Sequence, residues 1–248
     1  MTREVRADRP RVGTAGWSIP RAYAGEFPGD GTHLERYARR LDAVEINSSF
    51  YRPHAAETYE RWADSTPDGF RFAVKVPKEA THVRRLVDAD EVLDEFVPQA
   101  AALGARLGPL LVQLPPSLRF DGEVGERFLI ALLSRHDGLV ALEPRHATWM
   151  TGEADALLRA YRVARVAADP PRAASDARPG GWPGLVYLRL HGSPRIYWSS
   201  YGAERLRATA AELNAAVARG AAAWCIFDNT ASGAATGNAL EVAGLLAE

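Results

Sequence analysis

"VEINSSFYRP" (residues 44–53) ends an apolar run in an unusual way. Leu41, Ala43, Val44 and Ile46 have the composition of a buried strand, yet Glu45 lies inside it and Asn47 at its end. A carboxylate and an amide are costly to bury unless something pairs with them, so this strand must deliver both to partners or to a site. Similar strand-like runs recur at 11–16, 70–76, 110–114, 139–144, 164–169, 185–190 and 224–229. Between most of them the spacing predicts helices, over 32–41, 55–64, 88–107, 124–135, 153–161, 203–219 and 234–247. In "THLERYARRL" (32–41), Thr32 stands where a cap is needed and Glu35 follows three residues on, the pattern of a capping box. Strands alternating with helices, and apolar on both faces, predict a parallel sheet covered by helices. Eight such strands in 248 residues predict an α/β fold, a (β/α)8 barrel.

A doubly wound open sheet would alternate in the same way, but the chain has no G-x-G-x-x-G and no G-x-x-x-x-G-K-[ST] element, so no nucleotide cofactor is expected. "DPPRAASDARPGGWPG" (169–184) carries four prolines and no helical period, which predicts a long loop in place of the sixth helix. No linker divides the chain. One domain over 1–248 is expected, with 1–10 as a flexible tail.

The 30 Lys and Arg against 31 Asp and Glu give a net charge of −1, which argues against a nucleic-acid footprint. Cys225 is the single cysteine and suits a reducing compartment. The charged N-terminus is followed by no signal-peptide pattern, and no apolar run approaches the ~18 residues of a membrane span. The expectation is a cytoplasmic protein whose partner is a small molecule, with neither nucleic acid nor membrane involved; oligomeric state is not legible.

In this fold the active site lies at the C-terminal ends of the strands. Here those ends carry Trp17 and Ser18, Glu45 and Asn47, Lys75, Gln113, Glu143 with Arg145 and His146, Asp169, Arg189 and His191, then Asp228 and Asn229. A salt-bridged network, with Arg145, Arg189 and Lys75 neutralising Glu45, Glu143 and Asp228, is the plain structural explanation. Buried ionic networks are weak stabilisers, however, so a full ring of them points to a polar cavity.

The stretches "GTAGWS", "VEINSSFYRP", "FRFAVKVPKEATH", "LLVQLPPSLRFD", "ALEPRHATW", "YLRLHG", "FDNT" and "NAL" resemble the DUF72 (YecE-like, UPF0759) family of uncharacterised TIM-barrel proteins, over about residues 11–246. The resemblance implies a TIM barrel loosely related to sugar isomerases. It marks Glu45, Asn47, Lys75, Gln113, Glu143, Arg145, Arg189, His191 and Asn229 as a motif set without established roles.

Glu143, Asp169, His191 and Asp228, on four consecutive strands, are similar to the divalent-metal site of xylose-isomerase-like enzymes. Such a donor set suits Mn²⁺ or Mg²⁺, which would polarise a carbonyl. Against it, Arg145 and Arg189 lie two residues from would-be ligands on the same strand face, and Asp169 before Pro170 also reads as a loop start. Without a metal, Lys75 is a candidate base or Schiff-base amine, or else the partner of Glu45 or Glu143. His191 is a candidate acid/base, or a hydrogen-bonded core histidine.

Tyr197, Trp198 and Tyr201 follow the seventh strand, and Trp17, Phe50, Tyr51 and Trp149 stand on other mouth loops. Aromatic faces beside amides suit a sugar-like ligand, or simply pack a lid. "NTASGAATGNA" leads into the last helix, where a phosphate could bind with Arg189 and Arg195 nearby, or where the turn only caps the helix. No G-x-S-x-G, zinc spacing or H-E-x-x-H is present.

The expected catalytic residues are Glu45, Lys75, Glu143 and His191. Trp17, Asn47, Tyr51, Gln113, Arg145, Arg189, Tyr197, Tyr201 and Asn229 are expected to bind substrate. Three functions stand open: proton-transfer chemistry of isomerase or lyase type on a polyhydroxylated anionic metabolite, a hydrolase using Glu45 and Glu143, and a ligand-binding scaffold. In the first, Glu143 and His191 act on one ligand while Arg145 and Arg189 hold its negative charge.

Overall fold

The computed structural model describes residues 9–171 and 178–247. Its strands are β1 (Arg11–Ala15), β2 (Ala43–Ile46), β3 (Arg71–Lys75), β4 (Leu107–Gln113), β5 (Val140–Glu143), β6 (Val163–Arg165), β7 (Ala167–Asp169), β8 (Gly180–Gly181), β9 (Leu185–Leu190) and β10 (Ala222–Phe227). They form one sheet in the order β7-β9-β10-β1-β2-β3-β4-β5-β6-β8. All pairings are parallel except β6 with β8. The sixth barrel strand is split: β6 pairs with β5 and β7 with β9, so segment 163–169 brings the sheet round to itself. The result is the expected TIM-like barrel. Part of the expected long loop, 172–177, lies outside the described residues; the rest of 169–184 contains strand and turn but no helix.

The helices are α1 (His33–Ala38), α2 (Ser48–Tyr51), α3 (Ala56–Asp64), α4 (Asp90–Ala101), α5 (Gly122–Leu133), α6 (Gly152–Ala160), α7 (Ala203–Ala218) and α8 (Ala234–Leu245). The capping box at α1 forms: Glu35 N–H donates to Thr32 Oγ1 at 3.3 Å and Thr32 N–H to Glu35 Oε2 at 2.6 Å. Among the described residues no helix is long and apolar enough to cross a membrane.

The two-residue period of the strands sorts side chains into two cores. Inside the barrel lie Ala43, Ala73, Leu111, Ala141, Ala164, Tyr187, Trp224 and Ile226. Small residues dominate, which leaves room for Trp224 to stack on Tyr187, with centroids 6.2 Å apart and planes 2° off parallel. Gly108 serves the same packing, since a Cβ there would come within 2.5 Å of the Trp224 ring. The opposite phase, including Val44, Phe72, Val112, Leu142, Leu190 and Phe227, packs outward against the helices.

Candidate functional site

Register carries the inward phase round the ring: Ala15 opposite Glu45, Glu45 opposite Ala73, Lys75 opposite Leu111 and Gln113 opposite Glu143. Glu45, Lys75, Gln113 and Glu143 are therefore the last inward positions of β2 to β5. On the far side Arg189 and His191 continue the phase of Tyr187, and Asp228 continues that of Ile226.

Arg189 sits at the centre and is fully buried. Its Nε donates to both oxygens of Glu45 (3.2 and 3.1 Å) and its Nη2 to Glu45 Oε1 (2.8 Å). Nη1 reaches Glu143 Oε2 at 3.2 Å, and Nη2 lies 3.1 Å from Asp228 Oδ2. Tyr187, which the sequence reading missed, donates its hydroxyl to Glu45 Oε2 at 2.8 Å. Its position two residues before Arg189, in the same phase, was the available signal. Arg189, expected to hold a substrate's negative charge, here spends its guanidinium on three carboxylates. Glu45 and Glu143 accept from that one guanidinium, so a cation bridges the pair in which a hydrolase would place its scissile bond.

Above this layer His191 lies between two carboxylates, with Nε2 3.0 Å from Glu143 Oε1 and Nδ1 2.9 Å from Asp228 Oδ2. Arg145 Nη2 approaches both Glu143 Oε1 and His191 Nε2 at 2.9 Å. Burial alone would raise the carboxyl of Glu143, but Arg189, Arg145 and His191 outweigh it and hold it well below the ordinary carboxylate range. Burial would likewise raise Asp228, but Arg189 and the hydrogen bond with His191 outweigh it and lower it. Tyr197 covers the imidazole edge-on at 5.7 Å, from a backbone with φ of 65°. Burial first, and then the charge of Asp228, raise its hydroxyl.

Lys75 is buried at the rim, its Nζ 4.0 Å from the centroid of Phe50. Among the described residues no carboxylate makes an ion pair with it, so the expected pairing with Glu45 or Glu143 is not a contact. Gln113 is half-buried, and Trp17, also half-buried, packs against the outer core, edge-on to Trp62 at 5.0 Å and to Phe72 at 6.4 Å. Tyr51 is 70% exposed beside Phe50. Two mouth groups keep unused bonding capacity among the described residues: the buried Asn47 Oδ1, an acceptor, and Arg145 Nε, a donor.

Three expected members do not join the site. Asp169 pairs in register with Leu190 of the outer core, and its carboxylate accepts from Tyr201 (2.9 Å) and Arg205 (3.2 Å). Tyr201 is buried, with its hydroxyl held by Asp169 and the Gly192 N–H. Asn229, two residues after outward-facing Phe227, donates to Ser199 O at 2.8 Å and Asn238 Oδ1 at 2.9 Å, bracing the loop after β9. Trp149, also expected at the mouth, is buried with Nε1 on Leu118 O. The start of α8 is no free anion cradle either: the N–H groups of Ala234, Ala235 and Thr236 donate to Ser232 Oγ, Asn229 O and Gly233 O.

The four-residue metal set therefore does not fit. Asp169 faces away, both nitrogens of His191 are engaged, and guanidinium nitrogens contact Glu143 and Asp228. Among the described residues no group of three or more His, Cys, Asp or Glu is arranged to hold a metal. A cavity of about 590 Å³ opens at the opposite end of the barrel, lined by Arg11, Arg71, Arg135 and Trp224. Its charges serve the structure: Arg11 lies on Asp42, and Arg135 on Asp90 and Asp94.

Residues 11–248 match the family described as "Protein of unknown function DUF72". UPF0759 protein YecE of Escherichia coli is 37% identical over 84 residues, 34% of this chain and 31% of that protein. UPF0759 protein YunF of Bacillus subtilis is 28% identical over 111 residues, 42% of this chain and 39% of that one. The aligned segments thus span less than half the length of these relatives. A crystal structure of a DUF72 family protein from Thermotoga maritima superposes with a TM-score of 0.79 at 25% identity, covering 97% of this chain and all of the other. One from Enterococcus faecalis gives 0.79 at 21%, covering 96% and 95%, a likeness of fold.

Proposed function

The chain belongs to the DUF72 family, and from that premise we propose that its barrel mouth moves protons on a small, polyhydroxylated, negatively charged metabolite, in the manner of sugar isomerases and epimerases. The observation that carries this reading is the chain Glu143–His191–Asp228, a buried imidazole with a carboxylate on each ring nitrogen. In such a chain one proton at His191 can be passed toward either carboxylate over hydrogen bonds of about 3 Å, and Asp228 opens it to the rim. Glu143, kept ionised by the surrounding cations, is the acceptor next to the imidazole. Arg145 meets the ligand's negative charge through its unused Nε, and Asn47 Oδ1 accepts from a ligand hydroxyl. Tyr197 and Tyr51 offer exposed aromatic faces for a sugar ring.

The test is carbon-bound hydrogen exchange in D₂O, followed by NMR across a panel of aldose and ketose phosphates. The wild type is expected to exchange the hydrogen beside the carbonyl, and Glu143→Gln and His191→Asn to lose that exchange while keeping the fold. A binding scaffold is the second reading, favoured by the complete pairing of Arg189. Saturable binding with no exchange, unaltered by either substitution, would leave only the scaffold.

A further inference from the structure

Of the 30 basic residues in this chain only two, Lys75 and Lys78, are lysine. The sequence thus meets its needs for fixed positive charge with arginine, and Lys75 stands at the barrel mouth where a permanent cation would serve equally well in a salt bridge. The two side chains differ in one relevant respect: lysine can shed its proton and become a nucleophile, and arginine cannot. Burial without any carboxylate in contact among the described residues favours the neutral amine, against the Phe50 ring beneath the Nζ, which as a cation–π partner favours the ammonium. Lys75 faces the inward phase of β3 and rests on the Phe50 ring at 4.0 Å. His82, on the π-helical turn Glu79–Val83 that follows the strand, packs edge-on to the same Phe50 ring at 4.9 Å. Burial lowers the ammonium to about 8, and Arg189 pushes the same way against the weaker pull of Glu45, Glu143 and Asp228. His82 is itself depressed, by burial and then by the charge of Lys75.

We infer that Lys75 is a nucleophilic amine that condenses with the carbonyl carbon of a small hydroxylated aldehyde or ketone. This rests on the reading of the mouth as a proton-transfer site, and names its substrate class as one able to form an imine. The Nζ lone pair forms the new C–N bond as the carbonyl π bond opens onto oxygen. Nitrogen gives up a proton, oxygen is protonated and leaves as water, and the nitrogen lone pair closes the C=N bond. The protonated imine consumes one proton and releases one water, which re-adds to regenerate the amine. Its positive charge acidifies the neighbouring C–H, whose proton the Glu143–His191 pair accepts.

The experiment is reductive trapping of the full chain. Dihydroxyacetone phosphate is added with sodium borohydride, and the products are read by intact mass and peptide mapping. Glycerol 3-phosphate, with the same anion and no carbonyl, is the comparison ligand, and its binding is followed calorimetrically. Exposed Lys78, three residues along, reports unselective amination. The expected result is at least tenfold more label on Lys75 than on Lys78, rising as pH passes about 8, and lost in a folded Lys75→Met variant. Equal labelling of the two lysines, or none on Lys75, overturns the inference. If glycerol 3-phosphate still binds while Lys75 stays unlabelled, the imine fails and the proposed ligand class stands. If neither compound engages the mouth, both fail.

Discussion

Replacing Glu45 by Gln tests whether the centre of the barrel is held by ionic pairing. The carboxylate is fully buried and accepts from Tyr187 and from two nitrogens of Arg189. Glutamine keeps the shape but supplies only one acceptor oxygen; its NH₂ would face a hydroxyl or guanidinium donor. Removing one member of a buried pair typically costs about 3–5 kcal/mol. Arg189 keeps Glu143 and Asp228, so the low end applies, about 3 kcal/mol. For a chain near 250 residues this lowers Tm by about 6–12 °C. Urea unfolding and thermal melts at pH 7, followed by circular dichroism, measure both quantities. The exposed i,i+4 pair Glu123–Arg127 at 3.6 Å is the control, and Glu123→Gln is expected to cost no more than about 0.5 kcal/mol. Tyr187→Phe should combine non-additively with Glu45→Gln, because both act on one carboxylate. A Glu45→Gln cost below about 1 kcal/mol would mean that water already solvates Glu45, and would refute the account of a sealed ionic centre.

Glu143 and Asp228 titrate below their ordinary values of 4.5 and 3.8, so the folded state binds fewer protons than the unfolded one in acid. Their contribution to stability is present above pH 4.5 and is lost as pH falls below it; urea midpoints from pH 6 to 3 should fall less steeply in Glu143→Gln than in the wild type. Lys75 is depressed from 10.5 to about 8, so stability should rise with pH between those values as the unfolded chain binds the extra proton. Lys75→Met should abolish that rise and unfold no earlier than the wild type at pH 7; a drop in Tm of several degrees would show that the amine is favourably paired after all. Asp169→Asn should cost about 1 kcal/mol through its bonds to Tyr201 and Arg205 and leave Mn²⁺ affinity unchanged, whatever that affinity is. A weakened Mn²⁺ titration would restore Asp169 to a metal site.

Local sequence determined the elements, because the signals behind them are local. The alternation of apolar runs with helical periods lies within a few residues of each element, and the Thr32–Glu35 capping box closes within one turn. Strand-end position also selected the chemistry-bearing residues, including Glu45, Lys75, Glu143 and His191. What those positions could not decide was phase. Asp169 and Asn229 end strands as polar residues, yet each belongs to the outward phase with Leu190 and Phe227, and counting by two along those strands was the signal that separates them from Ala168 and Asp228.

Partnership was beyond the sequence for a different reason. Glu45 and Arg189 are 144 residues apart and meet only because the ring closes. The closure itself depends on a sixth strand that pairs with one neighbour up to Arg165 and with the other from Ala167. Whether a buried cation is available to a ligand depends on how many carboxylates the closed barrel gathers round it. Arg189 has three in contact and Lys75 has none among the described residues, although both stand at equivalent inward strand ends. Identity at each position came from local pattern; the state of each charge came from geometry that only the complete barrel creates.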